Sequence, residues 1–180
     1  MRRMSESTGT HRVEFVRHPD LDAPHLLTWG IRIDGTDLRV LVAQVTRASW
    51  ALELDEDDDT PREREEFLVR QHAPLYLGEE DERAHAHFLG GTEPYVHDPD
   101  TGALCLLGCH CGIPACWPLL AEVCVTATEV TWSGFRQPER PEWGELPLGP
   151  YVFPRPAYEA ALTTPTVLTR DPLAPLPGAG

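Results

Sequence analysis

The sequence predicts an α+β fold: a mainly antiparallel β-sheet built from two hairpins, with one or two helices at its flank. Three observations predict it. Two stretches alternate apolar and polar residues with period two, each around a turn. One stretch carries the start signals of a helix. The 18 prolines among 180 residues favour turns and short strands over long helices. That length suits a single domain, assigned to residues 1–162, of which 1–11 are expected to be flexible.

The elements follow in chain order. "VEFV", Val13 to Val16, reads as a short strand. In "LLTWGIRIDGTDLRVLV", Leu27, Trp29, Ile31 and Ile33 alternate with Thr28, Gly30, Arg32 and Asp34. Asp34-Gly35 suits the positive backbone angles of a tight turn. Leu38, Val40 and Val42 then alternate again, so Leu26 to Val42 reads as the first hairpin. Further on, Thr60 can cap a helix, Pro61 fits its first turn, and Glu63 has capping-box spacing to Thr60. Only Phe67, Leu68 and Val69 are strongly apolar before Pro74 ends the pattern, which places this helix on the surface. The acidic run Glu53 to Asp59 before it reads as solvated charge, ahead of a cation or partner site.

Leu77 to Gly102 reads as loop and Ala103 to Leu107 as a strand. "WPLLAEVCV" and "EVTWSGF" form the second hairpin, "GPYVF" a last strand, and "PAYEAALT" a helix begun by Pro156. Residues 163–180, "TTPTVLTRDPLAPLPGAG" after Leu162, are proline-rich and are expected to form a flexible tail. Trp132, Phe135, Trp143 and Tyr151 read as core and edge packing, ahead of a ligand groove.

The formal net charge is -14, and all 15 basic residues are arginines with no cluster of useful size. Binding to nucleic acid or to an anionic membrane is therefore disfavoured, whereas a basic protein or a metal cation suits the charge. "MRRMSESTGTHR" lacks the apolar segment of a secretory signal, and no apolar run approaches the length of a membrane span. The expected compartment is the cytoplasm. Thiols there are mostly reduced, and a count of 5 cysteines leaves one unpaired, which disfavours a disulfide scaffold.

Three of those cysteines lie in "GCHCGIPACW", Gly108 to Trp117. If the preceding strand continues to Cys111, Cys109 and Cys111 share one side. A turn at Gly112-Ile113-Pro114 then returns Cys116 towards them. Zinc needs four ligands, usually thiolate or imidazole. Cys105, His97 and His110 are the candidates for the fourth, His110 being the weakest because strand parity points it away. A structural metal leads reduced packed thiols, a disulfide such as Cys109–Cys116, and a reactive thiol; the C-x-C pair could also hold Cu(I). Cys124 reads as a small packing residue. His85 and His87, followed by Glu93, are similar to the first metal motif of cupins. No second cupin motif follows, and exposed loop histidines are the favoured reading. No nucleophile elbow, P-loop or dinucleotide-binding glycine pattern is present, so no catalytic residue is assigned.

"LLGCHCGIPACWPLLAEV", "VTWSGFRQPERPEW" and "LGPYVFPRPAYEAAL" together resemble a group of uncharacterised small actinobacterial proteins. Those proteins share a C-x-C-G block followed by C-W, a V-x-W-x-x-F strand and a G-P-x-V-F ending, and "TWGIRIDGTDLR" resembles their N-terminal part. The resemblance covers most of Leu26 to Leu162 and matches Cys109, Cys111 and Cys116 to the group's cysteine block. Some members carry an oxidoreductase description. The expectation is a non-enzymatic protein-binding module with a structural thiolate metal site, zinc being the ion. The alternative is a thiol- or metal-dependent oxidoreductase that uses the same three cysteines.

Overall fold

The computed structural model describes residues 9–54, 60–91, 100–111, 113 and 116–175. Strand β1, Val13–Pro19, pairs antiparallel with β2, Leu27–Ile33, in a register running from Val13↔Ile33 to Pro19↔Leu27. Asp34 and Gly35 then take φ of 51° and 86°, the positive values that an Asp-Gly turn permits. The returning strand β3, Thr36–Asp37, is only two residues long. The chain goes straight into helix α1, Leu38–Glu53, capped by the Asp37 carboxylate on the Arg39 amide.

The long hairpin expected over Leu26 to Val42 is thus corrected. Alternation at Leu38, Val40 and Val42 spans just five residues. Over the whole segment Leu38, Val42, Thr46 and Trp50 are buried at a spacing of four, while Val40 is half-exposed. The helical period wins because it buries one continuous face.

Helix α2, Pro61–Arg70, has the expected start: Pro61 opens it and Thr60 and Glu63 form a reciprocal capping box. Of its residues only Leu68 is buried, so it lies on the surface as its composition demands. Two-residue β4, His72–Ala73, follows. Helix α3, Asp81–Phe88, replaces part of the expected loop and buries Ala84, His87 and Phe88. Then come β5, Leu104–Cys109, β6, Leu119–Val125, and β7, Glu129–Arg136. The chain ends with β8, Tyr151–Pro154, α4, Arg155–Thr163, and β9, Thr166–Val167. The β6–β7 hairpin, the β8 strand and the helix after it all stand where the sequence puts them.

One sheet has the order β3-β2-β1-β9 and the other β4-β5-β6-β7-β8. Every ladder except β1–β9 is antiparallel. Trp29 of β2 forms an isolated bridge with Leu75, just past β4: the Trp29 amide donates to Leu75 O at 2.7 Å and the Leu75 amide donates back at 3.2 Å. Phe15, Trp29, Phe88, Trp132, Phe153 and Tyr158 fill the space between the elements. Their rings meet mostly edge-on, as at Phe15–Tyr158 and Trp132–Phe153. The Tyr158 hydroxyl is satisfied by donating to Phe88 O at 2.7 Å. No helix among the described residues is long and apolar enough to cross a membrane.

Both expected loose ends are attached in part. The His11 amide donates to Val152 O, and its ring meets Asp34 at 2.7 Å. Beyond Thr163, β9 pairs in parallel with β1, and the Leu168 amide donates to Arg17 O. Asp171 then receives both terminal nitrogens of Arg39, at 2.9 and 2.8 Å. Arg39 is 3% exposed and is held from the other side by Asp37. A buried guanidinium needs compensating carboxylates. That need anchors a segment whose own apolar content is too small to hold it.

Burial raises the Asp171 pKa and the Arg39 hydrogen bonds lower it; the net direction is downward. A depressed carboxylate pKa gives stability that is present above the unfolded value of about 4 and lost as pH falls through the folded value. Ending the chain after Thr164, or the single change Asp171→Ala, is expected to cost on the order of 3 kcal/mol in urea unfolding at pH 7. The acid-side loss of stability should become shallower in both. Unchanged unfolding midpoints would show that the clasp contributes nothing.

Candidate metal centre

Strand β5 is buried at all six positions and lies between β4 and β6. It delivers Cys109 to its end, opposite His72 of β4. The chain then turns. The Cys111 amide points at Cys109 Sγ at 3.5 Å, and the Cys116 amide donates to Ile113 O at 3.1 Å. The sulfurs of Cys109, Cys111 and Cys116 consequently lie within 4.8 Å of one another. Zn–S bonds of about 2.3 Å in a tetrahedron would set sulfurs about 3.8 Å apart, so this spacing suits one ion. All three are free thiols, Cys109 buried and the other two exposed, so the Cys109–Cys116 disulfide is not formed.

Their electrostatics differ. Burial pushes the Cys109 thiol up, whereas the Ile113 amide and then the neighbouring thiols hold that of Cys111 below its ordinary value. A metal ion would favour the thiolate at all three.

The other expected ligands fare differently. Cys105 is corrected. The β5–β6 register shifts between Cys105 and Leu107, and the Cys105 thiol donates to Leu107 O at 3.0 Å inside the main core. Burial pushes its pKa up to about 12, which makes it a protonated packing group. His97 lies outside the described residues. His110, the weakest expectation, is beside the site, with Nδ1 4.0 Å from Cys109 Sγ. The parity argument against it fails because β5 ends at Cys109. Cys124, expected as a packing residue, is exposed on β6, opposite Thr131 of β7. His85 and His87 lie on α3 and serve the fold: His85 Nε2 meets Leu162 O at 3.2 Å, and His87 Nε2 meets Cys105 O at 2.7 Å. Glu93 lies outside the described residues.

Behind Cys109 lies a buried polar network that sequence reasoning missed. Trp50 Nε1–H and Gln137 Nε2 both donate to Gln71 Oε1, at 3.0 and 2.9 Å. Gln71 Nε2 donates to Thr46 Oγ1 and Leu68 O. Gln137 Nε2 also lies 2.8 Å from His72 Nε2, which must therefore accept. His72 Nδ1–H donates to Trp117 O at 3.1 Å. This fixes a neutral tautomer, and complete burial pushes the His72 pKa down to about 4. The sequence offers no local signal for this set, because its members are polar residues scattered from Thr46 to Gln137.

Beside the network stands a second apolar cluster. Trp50 stacks on Trp117 at 5.9 Å and meets Trp143 edge-on at 5.1 Å. The Arg140 guanidinium lies 4.6 Å from the Trp117 ring and 5.1 Å from that of Trp50, and Glu53 binds Arg140 Nε at 3.0 Å. Trp143, expected as packing, donates to Glu53 as well. Glu53 thus ends α1 as a working ion-pair partner; Asp55 to Asp59 lie outside the described residues.

This cluster walls a cavity of about 650 Å³, also lined by Phe67, Arg70, Cys109 and His110. A smaller cavity of about 220 Å³ lies on the other side of Cys109, lined by Asp20, Asp22, Tyr76 and Cys111 among others. Cys109 and His110 line both, Cys111 only the smaller one, and Cys116 neither. Compared with protein-family models, curated proteins and solved structures, the chain matches none.

The His72 shift gives a pH signature. A histidine whose folded pKa is depressed stabilises the fold above its unfolded value of about 6.5, and that stability is lost as pH falls towards 4. The loss is expected to be on the order of 3 kcal/mol across that window. In NMR titrations the His72 ring protons should stay at neutral-form shifts down to pH 5. A His72 transition near 6.5 would show that the ring is not buried as described.

Proposed function

We propose that this chain is a thiolate metal-binding protein in which a zinc ion, held by Cys109, Cys111 and Cys116, pins the connection between β5 and β6. The observation that carries this reading is the meeting of three sulfurs within 4.8 Å at the end of a buried strand. Zinc suits the donor set: it is borderline-soft, imposes no redox chemistry, and is commonly bound by three or four thiolates or imidazoles. We adopt a non-enzymatic binding role, and the net charge of -14 supports a basic protein as partner.

The smaller cavity, lined by both Cys109 and Cys111, favours a second reading, a thiol-dependent oxidoreductase. There the exposed Cys111 thiolate would attack a substrate disulfide and release one substrate thiol. A second cysteine would then displace the other, leaving a protein disulfide and a fully reduced substrate. Two electrons pass from the two cysteines to the substrate sulfurs.

Protein purified without chelator is expected to carry one equivalent of zinc by elemental analysis. Chelation should lower its melting temperature by several degrees, because metal binding energy is folding energy. Cys111→Ser should do both at once, while Cys124→Ser should do neither. Metal-free protein whose melting point is indifferent to chelator, with disulfide-reducing activity lost in Cys111→Ser, would transfer the assignment to the second reading.

A further inference from the structure

Resting on the metal reading, we propose that the ion's fourth coordination position opens to the 650 Å³ cavity and takes an exogenous thiol with an apolar body, bound as thiolate. Among the described residues, no fourth cysteine, histidine or carboxylate joins the three sulfurs within 4.8 Å. Three protein ligands and one open position is the arrangement of metal centres that bind small molecules, and closed four-ligand sets are the structural ones. Cys109 lines both this cavity and the smaller one, whereas Cys111 lines only the smaller one, so an ion on the three sulfurs borders both. The cavity volume lies in the range of small-molecule sites.

The class of ligand follows from the walls and the charges. A soft donor matches a metal already held by thiolates. Trp50, Phe67 and Trp117 offer ring surface to an apolar or aromatic body. Charge decides between the cavities. Asp20 stands in the smaller one and would repel an incoming thiolate. The larger one is lined by Glu63 and Glu66 but also by Arg70 and Arg140, whereas the smaller one has two aspartates and no arginine; Arg70, which has no ion-pair partner among the described residues, offsets the added negative charge. On coordination the S–H proton leaves to solvent and a metal–sulfur bond forms; no electron is transferred. The bound sulfur is then ionised at neutral pH, the form in which it is nucleophilic.

The test uses the full chain loaded with Co(II), whose visible bands report the number of thiolates. Phenylmethanethiol is expected to shift those bands with one-to-one saturation, the cobalt remaining on the protein through gel filtration. It should bind about tenfold more tightly than 2-mercaptoethanol, the effect of one good aromatic contact. Phenylmethanol, with oxygen in place of sulfur, should do nothing. Phe67→Ala, at a partly exposed position, should erase most of the tenfold preference and leave 2-mercaptoethanol binding as it was. Equal affinities for the two thiols would overturn the assignment to this cavity. Cobalt bands that no thiol moves would overturn the open position, and a resting spectrum altered by His110→Ala would then make His110 the fourth ligand. Failure to take up cobalt at all would instead overturn the metal reading and this proposal with it.

Discussion

Gln71, His72 and Gln137 are buried, and a buried polar side chain must find its hydrogen bonds inside the protein. Meeting that demand ties together α1, through Thr46 and Trp50, the end of α2, through Leu68 O, strand β4, and the chain on either side of the β6–β7 hairpin. One atom is left over: Gln137 Oε1 is buried with no hydrogen-bond partner among the described residues, while the other members are paired. Because His72 pairs with Cys109 and also holds Trp117 O, the same bonds set where the thiol-bearing turn leaves the sheet and where it returns. The geometry of the site is therefore inherited in large part from a polar network.

The second cluster completes the arrangement. Trp50, Trp117 and Trp143 surround Arg140, whose charge is answered by Glu53. A cation against three indole faces and one carboxylate is well held without being deeply buried. It keeps α1, the turn after β7 and the approach to β6 at fixed separation, which leaves the 650 Å³ cavity open beside the sulfurs. An ion on the three thiolates would close the remaining degree of freedom, the turn carrying Cys111 and Cys116. These two are the exposed members of the cluster, and the core does nothing to hold them.

What was legible in the sequence is what is decided locally. The Thr60 capping box, the Asp34-Gly35 turn, the β6–β7 hairpin and the convergence of Cys116 on Cys109 and Cys111 each depend on a few neighbouring residues. The misreadings have identifiable causes. Five alternating residues at Leu38 to Val42 mimic a strand, and only the burial of Thr46 and Trp50 further along reveals the helix. An irregularity between Cys105 and Leu107 upsets the parity that would have put Cys105 with the other thiols. The strand's end at Cys109 similarly frees His110 from the face parity assigned it. The Arg39–Asp171 clasp joins residues 132 positions apart, and nothing near either one announces it. The His72 network is illegible for the same reason, since burial of a histidine is a property of the finished fold.

The central claim is that Cys109, Cys111 and Cys116 hold one metal ion. The most direct measurement is X-ray absorption at the zinc edge of the purified protein. The account predicts a first shell with at least three sulfurs at about 2.3 Å. A shell made only of nitrogen and oxygen donors at about 2.0 Å would contradict it.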